Sequence, residues 1–127
     1  MDKRVLIIDD DKWVVMSTQM VLEAEGFEVK AATSGGEGLE VARAWRPSLI
    51  LLDILMPGID GWETLERLKA DPVVGDVPVV VFTARGGPAG KTRYRELGAV
   101  GYFTKPFRPE ALIETVRHYV EQAIEAQ

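Results

Sequence analysis

Cysteine is absent from this 127-residue chain and histidine occurs once, at His118. Disulfides, thiolate metal sites and cysteine nucleophiles are therefore excluded together, and the lack of cysteine fits a reducing compartment. Long apolar runs are also missing. The stretch from Val77 to Phe82 around Pro78 falls well short of the roughly 18 residues that span a bilayer, so no membrane segment is expected. The start, Met1-Asp2-Lys3-Arg4, runs into a strand without the apolar stretch and cleavage site of a secretion signal, and the cytoplasm is the expected location. Positive charge is in deficit: 15 Lys and Arg against 20 Asp and Glu leave a net charge of −5. Such a surface repels nucleic acid, so no direct nucleic-acid contact is expected of this segment. Trp13, Trp45 and Trp62 are too dispersed for an aromatic binding platform, although Trp13, close to a run of acids, is placed to report metal binding by fluorescence.

What remains is 46% apolar and 28% charged, the composition of a globular protein, and the length suits one domain over residues 1–127. Apolar, β-branched runs of strand length recur five times: Val5 to Ile8, Phe27 to Ala31, Leu49 to Leu52, Val77 to Phe82 and Val100 to Thr104. A helix-like segment follows each. Asp10 or Asp11 caps the first, which carries Val14, Val21 and Leu22 inward and stops at Gly26. Ser34 caps the second, with Leu39, Ala42 and Trp45 inward; Asp60 and Glu63 form a capping box for the third; Pro109 opens the fifth. The fourth contains Gly86, Gly87, Pro88 and Gly90, so it is expected to begin at or after Pro88, leaving residues 84–87 as a loop. The last helix carries Leu112, Val116, Val120 and Ile124 at i+4 spacing, a stripe open to core packing or to a partner. Strict alternation with short connections predicts an α/β fold, a (βα)5 doubly wound parallel sheet covered on both faces.

Ligands of such sheets bind outside the carboxyl ends of the strands. The residues there are Asp9 and Asp10 after the first strand, Asp53 after the third, Thr83 after the fourth and Lys105 after the fifth. Each alone has an ordinary explanation, because a strand-end aspartate is often a cap or turn former and a lone lysine a solvated charge. Five on one edge of a sheet inferred from periodicity is a different matter. Crowded carboxylates repel, and a divalent cation between them relieves the repulsion. With no cysteine and one distant histidine the donors are all oxygen, which selects a hard ion. Mg2+, which keeps several waters and favours few carboxylates plus a phosphate oxygen, suits three acids in a solvent-facing crevice. Lys105 adds a second positive charge, and a carboxylate between metal and ammonium can act as nucleophile toward a phosphoryl group. Asp53 holds that central place.

The runs Val5-Leu6-Ile7-Ile8-Asp9-Asp10-Asp11, Leu51-Leu52-Asp53-Ile54-Leu55-Met56-Pro57-Gly58-Ile59-Asp60-Gly61, Phe82-Thr83-Ala84 and Gly98-Ala99-Val100-Gly101-Tyr102-Phe103-Thr104-Lys105-Pro106-Phe107, with their spacing, resemble the response-regulator receiver domains of bacterial two-component systems. The resemblance covers the whole chain. It implies a flavodoxin-like sheet of order 2-1-3-4-5 and a phosphorylation-dependent switch. Asp53 would accept a phosphoryl group from a sensor histidine kinase or phosphotransfer protein, and the changed surface would act on an output domain or target protein. It further implies Mg2+ held by Asp10 directly, by Asp9 through water, by Asp53 and by the Leu55 carbonyl. Lys105 and Thr83 would contact the phosphoryl oxygens, Tyr102 would turn inward as Thr83 moves, and Lys105-Pro106 would be a cis bond. Such a domain promotes only its own phosphorylation and dephosphorylation. Leu55 and Arg85 depart from the family pattern at positions lining the water path to the phosphoryl group, and leucine cannot position water, which favours a long-lived phosphorylated state.

Two enzyme readings compete. Gly86 to Thr92 looks like a nucleotide-binding P-loop, but only three residues separate Gly86 from Gly90 where four are needed. The Asp9–Asp11 pair matches a haloacid-dehalogenase-type phosphatase, with Asp9 as nucleophile. That reading lacks room for a cap and a second acidic pair after a later strand. His118, late in the last helix, is expected at the surface.

Overall fold

In the computed structural model the residues described are 3–54, 61–83, 93–104 and 108–125. Strands β1 (Arg4–Ile8), β2 (Glu28–Ala32), β3 (Leu49–Leu52), β4 (Val79–Thr83) and β5 (Gly101–Thr104) alternate with helices α1 (Lys12–Ala24), α2 (Gly35–Trp45) and α3 (Gly61–Ala70), a helical segment over residues 93–96 (α4), and α5 (Pro109–Glu125). All pairings are parallel, in the order β2-β1-β3-β4-β5. Central strands buried on both faces must be apolar throughout, and Leu49–Leu52 is entirely buried. Alternate residues feed two cores: Leu6, Ile8, Leu52 and Val81 pack with Leu39 of α2 and Leu65 of α3, whereas Val5, Ile7, Leu51 and Phe82 pack with Leu22 of α1 and Val116 of α5.

Several element ends follow the predicted signals. Asp11, not Asp10, caps α1, accepting from the amides of Trp13 at 3.0 Å and Val14 at 3.3 Å. Ser34 accepts from the Glu37 amide, and the Glu37 carboxylate accepts in turn from the Thr33 amide. Pro109 opens α5, and Leu112, Val116 and Val120 of its stripe are core residues. The Ile124 side chain, Asp60 and residues 84–92 lie outside what is described.

Three strands begin later than expected, two of them because neighbouring turns consume the backbone. At the end of α1, Gly26 adopts φ +91°, its amide donates to Glu23 and the Phe27 amide to Leu22, a Schellman closure that leaves β2 to begin at Glu28. Val77 donates to Val74 in a turn, and Pro78 has no N–H, so β4 begins at Val79. Gly98, at φ +92°, closes α4 as Gly26 closes α1; the Val100 amide then donates to Val79 of β4 at 2.9 Å, and β5 begins at Gly101.

Asp71, just past α3, is a buried carboxylate that periodicity does not reveal. It pairs with Arg43 of α2 and accepts from the amides of Val73 at 2.8 Å and Val74 at 3.2 Å, tying α2 to the α3–β4 connection. The Val73 amide foremost, then Arg43, holds its carboxyl below the ordinary value of 3.8. A depressed pKa contributes stability above the unfolded value that is lost as pH falls through the folded one. Asp71→Asn should therefore melt lower than the parent at neutral pH, with the gap narrowing as pH drops below about 4. A gap independent of pH in melts from pH 7 to 3 would show that the charge of Asp71 contributes nothing.

Candidate functional site

Ile8 pairs with Leu52 in the β1–β3 ladder, so Asp9 and Asp53 stand at the next position on adjacent strands. Their backbones stay fixed beyond the strand ends, since the Asp9 amide donates to Ala32 at 3.0 Å and the Asp53 amide to Ile8 at 2.9 Å. Asp9 is fully buried, Asp53 is 5% exposed, and Asp10 faces solvent. Asp9 Oδ1 accepts from the Asp11 amide at 2.9 Å, which fixes its carboxylate against the start of α1. One oxygen from each of Asp9, Asp10 and Asp53 lies within 4.8 Å of the others, the only such cluster among the described residues.

Opposite oxygens around an octahedral Mg2+ with bonds near 2.1 Å stand about 4.2 Å apart. The observed spread therefore fits after small carboxylate rotations, or with one acid bound through water. The donor chemistry agrees, because two of the three carboxylates are buried, all ligands are oxygen, and the exposed third leaves room for waters and a phosphate oxygen.

Thr83 ends β4 in register with Thr104 of β5, at the same sheet edge as the acids. The Thr83 side chain, Leu55, Arg85, Lys105 and the Lys105-Pro106 bond lie outside the described residues. Tyr102 of β5 already packs inward: its ring lies against the core of the α2–α3 face, 5.5 Å from the Tyr94 ring, and its hydroxyl is buried with no partner among the described residues. Burial raises its phenol pKa. Arg93 of α4 stacks on Trp62 of α3 at 5.1 Å, so the described part of α4 is bound to β5 and α3 by aromatic contacts. Trp13 is 77% exposed, three positions beyond Asp10, and His118 lies exposed on α5 beside Tyr119.

Sequence reasoning missed how closely α3 backs the Asp53–Ile54 backbone. Gly61, the first residue of α3, donates its amide to the Ile54 carbonyl at 3.2 Å. Nothing in the sequence marked this contact, since Asp60 before Gly61 is an ordinary residue for a helix start.

The family model for the response regulator receiver domain matches residues 5–117. Protein PilH of Pseudomonas aeruginosa is 34% identical over 113 residues, covering 89% of this chain and 93% of that one. The DNA-binding dual master transcriptional regulator RpaA of Synechocystis is 38% identical over 114 residues, covering 90% of this chain but 47% of its own length. The chain thus spans about half the length of most of the curated relatives it matches. The crystal structure of a CheY-like receiver domain protein from Methanospirillum hungatei superposes with a TM-score of 0.91 at 31% identity, each chain covered completely. The haloacid-dehalogenase alternative gains no support, and Asp9, which it needs as an accessible nucleophile, is fully buried and bonded to the Asp11 amide. Sheet order, acid cluster and these likenesses agree: the chain belongs to the response regulator receiver domain family, the phosphorylation-dependent switches of two-component signalling.

Proposed function

We propose that residues 1–127 form a single receiver domain in which Asp53 is the phosphoryl acceptor. The observation that carries this reading is the placing of Asp53 at the end of the central strand β3, with oxygens of Asp9 and Asp10 within 4.8 Å. An Asp53 carboxylate oxygen forms a P–O bond as the P–N bond to a donor phosphohistidine breaks, and the imidazole departs on a sensor kinase or phosphotransfer protein. Asp10 and Asp9, with the Leu55 carbonyl and Asp53, would hold Mg2+. When bound, the ion supplies positive charge that offsets charge on the phosphoryl oxygens. Lys105 supplies a second, fixed positive charge, and Thr83 donates its hydroxyl to a phosphoryl oxygen. The domain acts on its own acceptor only and turns over no separate substrate.

Tyr102, packed inward beside Tyr94, supports β5 and α4 as the surface that responds. The recipient is an output domain or a target protein. Any DNA contact belongs to such a partner, because the net charge of −5 disfavours it here. No described helix is long and apolar enough to cross a membrane; the proposed site of action is the cytoplasm. Acetyl phosphate and Mg2+ should load up to one phosphoryl group per chain by intact mass, and a chelator should block loading. Sustained release of phosphate over many equivalents would point to a phosphatase instead.

A further inference from the structure

Two glycines stand behind the acids, one on each helix covering the same face of the sheet. A Cβ on Gly61 would lie 2.0 Å from Ile54 Cα, 2.6 Å from the Asp53 carbonyl oxygen and 2.8 Å from the Ile54 carbonyl carbon, all backbone atoms. The backbone of Gly61 is not in the left-handed region, so the requirement for glycine there is one of space alone. A Cβ on Gly38 of α2 would lie 2.5, 2.8 and 3.1 Å from Cδ1, Cγ1 and Cγ2 of Ile8, the residue before Asp9. By contrast, a Cβ on Gly36, two residues away, would meet nothing within 4 Å.

We propose that Gly61 and Gly38 are positioning residues for the acid cluster: their bare Cα atoms let α3 and α2 seat against the Asp53–Ile54 backbone and against Ile8, which sets how far Asp53 and Asp9 project toward the metal. Interiors are packed to crystal-like density, so a methyl group inserted at either place moves what it meets. At Gly61 that is main chain adjoining the acceptor, which no rotamer change relieves. The side chain at Gly38 can be trimmed. Mg2+ demands near-ideal ligand geometry, so displacement of one carboxylate is read directly as lost affinity. Residues that orient metal ligands from behind typically cost about 10–100-fold in affinity when changed, and Gly61→Ala belongs in that range.

This inference rests on the acids being the Mg2+ ligands, so the experiment follows two readouts on the whole chain. Calorimetric Mg2+ titrations are made well below the melting temperature, and backbone amide resonances of Asp9, Asp53 and Ile54 are recorded without metal. Gly61→Ala should shift the Asp53 and Ile54 resonances and weaken Mg2+ binding at least about tenfold, while Gly36→Ala leaves both unchanged. Gly38→Ala should shift Asp9 and weaken binding less, and adding Ile8→Ala, which removes all three contacting atoms, should restore it. A folded Gly61→Ala chain with parental affinity and unshifted Asp53 would overturn the proposal, because glycine would then serve folding alone. Should Gly61→Ala fail to fold, the Gly38 pair decides: weakened binding rescued by Ile8→Ala upholds it, and parental binding in Gly38→Ala overturns it. Absence of Mg2+ binding by the unmodified chain would refute the ligand assignment, while the amide shifts would still decide whether the glycines place the acids.

Discussion

Asp53→Asn should abolish phosphoryl loading from acetyl phosphate or a cognate kinase, to below detection by intact mass, while the protein remains folded. The amide is isosteric with the carboxylate but is not a nucleophile, so the loss is chemical. The neighbouring acids cannot substitute. Asp9 is fully buried with Oδ1 bonded to the Asp11 amide, and the exposed Asp10 is assigned to the metal. An aspartyl phosphate persisting in the variant, mapped by peptide mass to either residue, would contradict this assignment of the acceptor.

The second large effect is on stability. Three carboxylate oxygens within 4.8 Å repel each other in the metal-free domain, and an ion that binds only the native state stabilises it by mass action. At Mg2+ about 100-fold above its Kd the gain is about 2.7 kcal/mol, a rise in Tm on the order of 10 °C for a chain of this length. Asp10→Asn removes one of the crowded charges. Its metal-free form should melt above the parent and respond little to Mg2+, so the order of the two melting temperatures should reverse as the ion is added. Trp13, exposed beside the acids, gives an independent titration by fluorescence. Parallel responses of parent and variant would remove Asp10 from the ligand set.

Much of the architecture was legible in the residues because its causes are local. Apolar runs such as Leu49 to Leu52 can only be strands buried on both faces, and Asp11, Ser34 and Pro109 mark helix starts through groups one to three positions away. The acids were legible for a topological reason, since a parallel sheet brings the carboxyl ends of β1 and β3 to the same edge whatever the details of packing. The order of the strands was not readable from periodicity, which is the same for any arrangement of five βα units, and came from the resemblance of the motifs to receiver domains. Strand starts were misjudged where a backbone group serves a turn instead, as Phe27 does in closing α1.

Chain chemistry by itself thus determined that Asp9, Asp10 and Asp53 emerge at one edge of the sheet, because alternation and capping act over a few residues. Only the tertiary structure decided how those residues are held. Asp71 and Arg43 are 28 positions apart and become partners only when α2 packs beside the end of α3. Tyr102 looks like any strand aromatic until Tyr94 and the core leave its hydroxyl buried. Gly61 carries no side chain, so nothing in its own chemistry announces a contact; that an added Cβ would meet the backbone of Asp53 and Ile54 is set by the docking of a whole helix.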